Sequence, residues 1–266
     1  MISVVIPALN EQDTVADVVA LALRSSAEEV IVIDADSTDA TAQRASQAGA
    51  RVVNWRDAHP LPPKKGKGES LWRGVQVARG DVVVFLDADL SQVHPEIVEI
   101  LTQPFADPKI QLVKANYSRP MADGSEGGRV TALLARPLLK LCVPELAHVR
   151  QPLGGEYAIR RETALRLAFI SDYGVEVGLL IDVARAFGPE AIAEVEAGVR
   201  THRNRSVKEL EHTAEQVAAT ILGRVGYPGI ALEQREPAEG EALDQSTDFR
   251  PDAAGFGKDK GAACSQ

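Results

Sequence analysis

The sequence predicts an α/β fold: a mostly parallel sheet flanked by helices, followed by a mainly helical second half. Three observations carry that prediction. Short, wholly apolar β-branched runs alternate with segments whose apolar residues recur at helical spacing through the first 90 residues. Such runs lack a polar face, as strands of a parallel sheet covered on both sides do. Each run also ends in polar or acidic residues, and in open α/β sheets the ligand crevice lies beyond the carboxyl ends of the strands.

The elements follow in order. ISVVI (2–6) is a first strand stopped by Pro7, and TVADVVALALRSS (14–26) a helix, with Asn10 as its N-cap and Glu11 and Asp13 in an acidic first turn. EVIVI (29–33) is the second strand, TDATAQRASQAG (38–49) a helix stopped by Gly49, and RVVNW (51–55) the third strand. GESLWRGVQVARG (68–80) reads as a helix, again ended by a glycine, Gly80, and DVVVFLD (81–87) as the fourth strand. HPEIVEILTQPF (94–105) is a helix, IQLVKANYS (110–118) a strand, and GGRVTALLARPLLKLCVPEL (127–146) mostly helix with a break near Pro137. GEYAIRRE (155–162) is a strand and turn, YGVEVGLLIDVARAFG (173–188) a helix, and IAEVEAGVRTHR (192–203) a strand running into a basic turn. SVKELEHTAEQVAATILGRVG (206–226) is a long helix with Ser206 and Glu209 at capping-box spacing. Past Ile230 the apolar periodicity stops while Gly, Pro and acidic residues accumulate. The expected organisation is a nucleotide-binding α/β half (1–118), a second half of the same domain (119–230) and a disordered tail (231–266).

Composition excludes several functions. The 266 residues carry a net charge of −9, which argues against nonspecific binding to nucleic acid or to an anionic membrane, since both need a basic field. An anionic substrate must therefore meet a local cluster of Lys and Arg. No apolar run approaches the roughly 18–20 residues that span a bilayer; TALLARPLLKLCV is interrupted by Arg136, Pro137 and Lys140. MISVVIPALNEQ lacks the basic segment of a secretion signal. Cys142 and Cys264 offer no disulfide framework, which points to a reducing compartment, the cytoplasm.

The chemistry concentrates at a few places. Asp87-Ala88-Asp89 closes the fourth strand, so two carboxylates sit at the mouth of a core, where they repel. Mg²⁺ or Mn²⁺ takes such oxygens together with substrate phosphates and stabilises a departing nucleoside diphosphate; helix capping is the alternative reading of either Asp. A second Asp-Ala-Asp stands in IDADSTDAT, where Asp36, Ser37, Thr38 and Asp39 crowd a helix start and Asp36 is expected to cap it. Asp34 closes the preceding strand, either structurally or as an acceptor for a base or ribose. KKGKGES (64–70) sets three lysines and two glycines before a helix; this suits an anion meeting amides and ammonium groups, or a solvated lysine turn, and is not a Walker A loop. VRTHRNR (199–205) gathers Arg200, His202, Arg203 and Arg205, a second anion site or a metal-side imidazole. GGRVT (127–131) offers a loop, an Arg and a hydroxyl as a cradle for phosphate or carboxylate.

Taken together, VVIPALNEQDTV, VIVIDADSTDAT, GKGES and VVVFLDADL resemble the nucleotide-sugar half of a GT-A glycosyltransferase, whose sheet is Rossmann-like. GGRVT, QPLGGEYAIRRE, SDYGVEVGLLID and GVRTHRNR resemble the glucosyl-3-phosphoglycerate synthase family, so that the likeness runs over roughly residues 1–228. The resemblance implies that Pro7, Ala8, Leu9, Asn10 and Glu11, with Asp34, Ala35, Lys67, Asp87 and Ala88, hold the uridine diphosphate of the donor. It implies that Asp89 binds Mg²⁺ or Mn²⁺ directly, with His202 as a further ligand. Gly128, Arg129, Thr131 and Asn204 would hold 3-phosphoglycerate, with Arg200 nearby, and Tyr173 and Glu176 would lie near the glucose. The implied catalytic set is Asp87, Asp89, Lys67 and Glu176, in a homodimer. Where relatives often carry a polar residue that can touch uracil, this chain has Ala35, which leaves only a backbone contact.

The expected reaction is therefore transfer of glucose from UDP-glucose, or another nucleoside-diphosphate glucose, to the 2-hydroxyl of 3-phosphoglycerate with retention of configuration. The rivals are a GT-A transferase acting on a polyprenyl phosphate or another small acid, a noncatalytic sugar-nucleotide sensor, and a nucleotidyltransferase. They differ in acceptor, in turnover, and in releasing pyrophosphate rather than UDP.

Overall fold

The first, second and fourth apolar runs become strands buried on both faces, whereas the third forms a partly exposed edge strand. A computed structural model of the chain describes residues 1–90, 94–118, 128–199, 207–239 and 243. In chain order these form β1 (Ile2–Ala8), α1 (Val15–Leu23), β2 (Glu29–Asp34), α2 (Thr41–Gln47), β3 (Arg51–Asn54), α3 (Trp55–Ala58), α4 (Lys67–Val77) and β4 (Val82–Phe85). There follow α5 (Ile97–Thr102), β5 (Leu112–Ser118), α6 (Arg136–Cys142), β6 (Tyr157–Arg160), α7 (Arg161–Leu165), β7 (Phe169–Ile170), α8 (Val175–Phe187), β8 (Ile192–Val199), α9 (Val207–Arg224) and β9 (Gln234–Arg235).

One seven-stranded sheet runs β3-β2-β1-β4-β6-β5-β8. The first four strands are parallel, β6 is antiparallel to both neighbours, and β5 and β8 pair parallel. Because side chains alternate along a strand, each strand feeds two cores. Val5, Ile31, Ile33, Val83 and Phe85 pack with Leu71 of α4, Leu179 of α8 and Ile221 of α9. Val4, Ile6, Val32 and Val84 pack with Val15 and Val19 of α1 and Leu101 of α5. The chain moves outward from β1 to β3 and then returns across β1 to β4, so the strand order reverses between β1 and β4 and opens a crevice there.

Several local expectations need correction. Asn10 does not cap α1: Thr14 holds the N-cap position, while Asn10, at φ 58, accepts from the Thr38 amide at 2.9 Å and ties the loop after β1 to the loop after β2. Asp36 does not cap α2 either. It too has positive φ, at 62, and its carboxylate turns to Arg56 (2.5 Å) and Asn54 (3.1 Å); Asp39 receives the Thr41 amide instead, at 2.9 Å. The break near Pro137 is a π-helical turn, residues 131–135, after which Pro137 sits in the first turn of α6, where its missing N–H costs nothing. Gly49 and Gly188, at φ 103 and 87, follow the ends of α2 and α8 as the stop signals predict; Gly80 does not stop α4, which ends at Val77 where Ala78 turns extended, and instead packs against Ser3. The segment expected to be a tail from 231 begins ordered: β9 pairs antiparallel with β7, and Arg235 is buried against Glu69. One charged residue, invisible to apolar periodicity, anchors it. Among the described residues no helix is long and apolar enough to cross a membrane.

Candidate active site

Three loops meet at the crevice. After β1 the chain continues from Ala8 into Leu9 and Asn10; the Ala8 carbonyl accepts the Ala35 amide at 2.9 Å, the Asn10 amide donates to Ser37 Oγ at 3.0 Å, and the Glu11 amide donates to Thr41 Oγ1 at 2.8 Å. Pro7–Glu11 and Asp34–Asp36 thus form one latticed rim, in which Leu9 is exposed and Ala35 buried. Asp34 is also buried. Its Oδ2 accepts the Ser37 amide at 3.3 Å, whereas Oδ1 meets no hydrogen-bond donor among the described residues, so an acceptor stands ready at the end of β2. Arg56, with Asn54, holds the Asp36 carboxyl down at about 2.

From the other side of β1 come Asp87, Ala88 and Asp89, just beyond β4, with Ala88 buried and the two carboxylates partly so. Lys67 Nζ lies 2.5 Å from Asp87 Oδ1 and 2.7 Å from Glu176 Oε1. The three come from the start of α4, the end of β4 and the first turn of α8. Burial opposes the ammonium, but Asp87 and Glu176 outweigh it and hold Lys67 well above the ordinary lysine range. It is therefore a fixed cation in a low-dielectric mouth, where electrostatic interactions are strong.

The KKGKGES segment reaches this arrangement differently from expectation. Gly66 caps α4 at φ 113, and a Cβ on Gly68 would lie 1.8 Å from the Ile170 carbonyl oxygen. The Glu69 amide donates to the Ser171 carbonyl at 3.0 Å. The glycines thus let the helix start abut β7, and that amide is already engaged. Lys64 turns away to the Gln234 carbonyl at 2.8 Å; of the two, Lys67 is the lysine that faces the carboxylates. Its helix is fixed by a fully buried carboxylate, Glu69, between two arginines: Arg73 Nε at 2.7 Å and Arg235 Nε at 2.8 Å.

The groups expected around the acceptor are partly placed. Gly128 has φ 86 and accepts the Ala132 amide at 2.9 Å; Arg129 is exposed and Thr131 buried at the π turn. Tyr173 precedes α8, and its neighbour Asp172 meets His212 Nε2 of α9 at 2.8 Å. Arg200, His202, Asn204, Ser206 and the Glu209 side chain lie outside the described residues. No group of three His, Cys, Asp or Glu side chains that could hold a metal occurs among the described residues. The donor set still suits a hard divalent cation: Asp87 and Asp89 are two carboxylates at the crevice mouth, the first sharing Lys67 with Glu176, and such ions commonly take one or two carboxylates plus substrate phosphates.

Two charged residues to which the sequence assigned no role lie under the site. Lys114, in mid-β5, and Glu156, just before β6, are fully buried. Lys114 Nζ donates to the Gly154 carbonyl at 2.5 Å and lies 4.6 Å from the Tyr157 ring centroid. The one sequence signal was a lysine between the apolar residues Val113 and Ala115 of a strand.

Comparison with known proteins bears on this geometry. Residues 3–167 match the family model for glycosyl transferase family 2. The glucosyl-3-phosphoglycerate synthase of Mycolicibacterium paratuberculosis is 46% identical over 263 residues, spanning 92% of this chain and 80% of that protein. The chain belongs to the glucosyl-3-phosphoglycerate synthase family. The family's Mycobacterium tuberculosis member is 47% identical over 251 residues, spanning 89% of this chain and 78% of that one. A crystal structure of the Mycobacterium tuberculosis synthase with Mn²⁺, UDP-glucose and phosphoglyceric acid superposes with a TM-score of 0.84 at 45% identity, covering 90% of both chains. The fold is accordingly the family's GT-A arrangement, a mostly parallel sheet flanked by helices.

Proposed function

We propose that this chain transfers glucose from UDP-glucose to the 2-hydroxyl of 3-phosphoglycerate, with retention at the anomeric carbon, in a divalent-metal-dependent reaction. The observation that carries it is the Lys67 ammonium held between Asp87 and Glu176 at the strand-reversal crevice of a chain that belongs to this synthase family. A positive charge fixed where a diphosphate departs stabilises the transition state more than the ground state.

In this reading Pro7–Glu11, Asp34, Ala35 and Ala88 form the nucleoside rim, and the open oxygen of Asp34 accepts from the nucleoside. Asp89, with His202, would hold Mn²⁺ or Mg²⁺, which when bound supplies Lewis-acid neutralisation of the diphosphate. Lys67 adds its own charge to the same diphosphate, and Glu176 keeps that lysine oriented beside the glucose, with Tyr173 at the same edge. Gly128, Arg129, Thr131, Arg200 and Asn204 hold the doubly anionic acceptor, so that its hydroxyl meets the anomeric carbon without a bimolecular search. The working form is a cytoplasmic homodimer with no nucleic-acid or membrane partner.

The deciding experiment measures UDP release from UDP-glucose with Mn²⁺ or Mg²⁺, with and without 3-phosphoglycerate. Acceptor-dependent release of UDP, with formation of glucosyl-3-phosphoglycerate, is expected. Release no faster than donor hydrolysis would overturn the assignment, and UDP binding without turnover would favour a sensor.

A further inference from the structure

Lys114 belongs to no motif of the donor or acceptor site, yet it is among the largest fully buried side chains of the molecule. It pairs in register with Tyr157 on β6, in a strand whose flanking residues Leu112, Val113 and Ala115 are fully buried apolar groups. Packing alone does not call for an ammonium there: a Met fills a similar volume without the desolvation cost of a buried charge. What the ammonium does is hold the Gly154 carbonyl at 2.5 Å, beneath the Tyr157 ring.

The turn it holds touches the site. A Cβ on Gly155 would lie 2.3 Å from Asp87 Oδ2, and one on Gly154 would lie 2.9 Å from the Tyr117 hydroxyl. A side chain at Gly155 would therefore have to displace the Asp87 carboxylate, and one at Gly154 would press on the Tyr117 hydroxyl, so the Gly155 backbone abuts the carboxylate that pairs with Lys67. Glycines confer that close approach and also leave the turn without side-chain constraints of its own. A hydrogen bond from its own Gly154 amide to the Gln151 carbonyl at 3.1 Å closes the turn, and Lys114 ties that turn to β5 from outside.

We propose that Lys114 is a positioning residue for the donor site: through the Gly154 carbonyl it fixes the Gly154–Gly155 turn against Asp87 and so sets where Asp87 and Lys67 stand. The inference rests on the reaction proposed above. The charges facing the ammonium are Glu176 of α8, Lys67 of α4, Asp87 after β4, and Glu156 beside Tyr157, with Glu194 its register neighbour on β8. Burial draws Lys114 down to about 8, against the opposing pull of Glu176 and Glu156. A charged donor grips a carbonyl about twice as strongly as a neutral one, so the clamp loosens as pH rises through that value.

The test compares the full-length chain with Lys114→Met and Lys114→Arg by thermal denaturation, steady-state kinetics with Mn²⁺, and calorimetry of UDP with Mn²⁺. Lys114→Met is expected to stay folded at the assay temperature although it melts below the wild type, to lose about 10–100-fold in kcat with KM for 3-phosphoglycerate unchanged, and to lack the alkaline fall of kcat near pH 8; Lys114→Arg recovers part of kcat. Wild-type kcat and pH profile in Lys114→Met overturns the proposal, as does a parallel loss of melting temperature and rate that Arg does not rescue. If Lys114→Met does not fold, Lys114→Arg decides, a kcat equal to that of the wild type being the adverse result. If the wild type does not use 3-phosphoglycerate at all, the reaction falls first. Lys114 is then judged by calorimetry, where weaker Mn²⁺-dependent UDP binding in Lys114→Met supports it and equal binding overturns it.

Discussion

Lys67 and Glu176 are 109 residues apart in sequence, yet the lysine Nζ donates to Glu176 Oε1 across 2.7 Å. The same nitrogen lies 2.5 Å from Asp87, so one ammonium joins the start of α4, the end of β4 and the first turn of α8. Replacing Lys67 with Met leaves two partly or wholly buried carboxylates facing each other without their cation. We expect kcat with UDP-glucose to fall about 10²–10³-fold, with a much smaller change in KM for 3-phosphoglycerate. A steady-state comparison in which only acceptor KM moved would contradict the donor-side role.

The proposed reading gives the metal to Asp89, two residues beyond the Asp87 that pairs with Lys67. In Asp89→Asn the Kd for UDP in the presence of Mn²⁺ should rise at least about tenfold, a loss of about 1.4 kcal/mol, while the Kd measured with chelator stays as in the wild type. Calorimetry with and without Mn²⁺ separates the two.

Arg129 stands exposed at the mouth of the π turn. Its removal in Arg129→Ala should raise KM for 3-phosphoglycerate by the equivalent of about 1.5–3 kcal/mol, the usual worth of a hydrogen bond to a charged group, and leave UDP binding untouched. An equal loss of UDP affinity would place Arg129 on the donor instead.

Glu69 has no exposure and lies between Arg73 and Arg235. Glu69→Ala strands two buried guanidinium groups and should destabilise the fold by about 3–5 kcal/mol, with early loosening of the β9 segment. Urea unfolding gives the first quantity, and hydrogen exchange at residues 233–236 the second. A stable variant with unchanged protection there would show that the arginines need no carboxylate.

Burial raises the Asp182 carboxyl to about 6, although Arg224 at 2.9 Å pulls the other way. Since its unfolded value is 3.8, the folded state binds more protons between these values, and the group's contribution to stability is full below the lower one and is lost as pH rises through the higher. Relative to Asp182→Asn, the wild type should therefore gain roughly 2 kcal/mol as pH falls from about 7 to about 4. Denaturant titrations of both proteins at these pH values test it; a constant difference would mean that Asp182 does not titrate there.

What the sequence by itself determined is whatever depends on neighbours along the chain. Apolar runs gave β1, β2 and β4, glycine stops gave the ends of α2 and α8, and both Asp-Ala-Asp triplets were placed at strand ends because strand termination is local. The family motifs then named Lys67 and Glu176 as members of one site. Tertiary structure alone decided which charge meets which. Capping rules consider one helix at a time, so they assigned Asn10 and Asp36 to helix starts, whereas Thr38 and Arg56, brought near by the parallel register, claim them instead. Apolar periodicity likewise dismissed the segment after 230, although Arg235 enters the core to reach Glu69. Lys114 was the least legible of all: its partner, the Gly154 carbonyl, is a backbone group 40 residues away, and no pattern of side chains encodes a backbone group. Buried charges are stable only where the fold supplies their partners, and that supply is set by the register of strands distant in sequence.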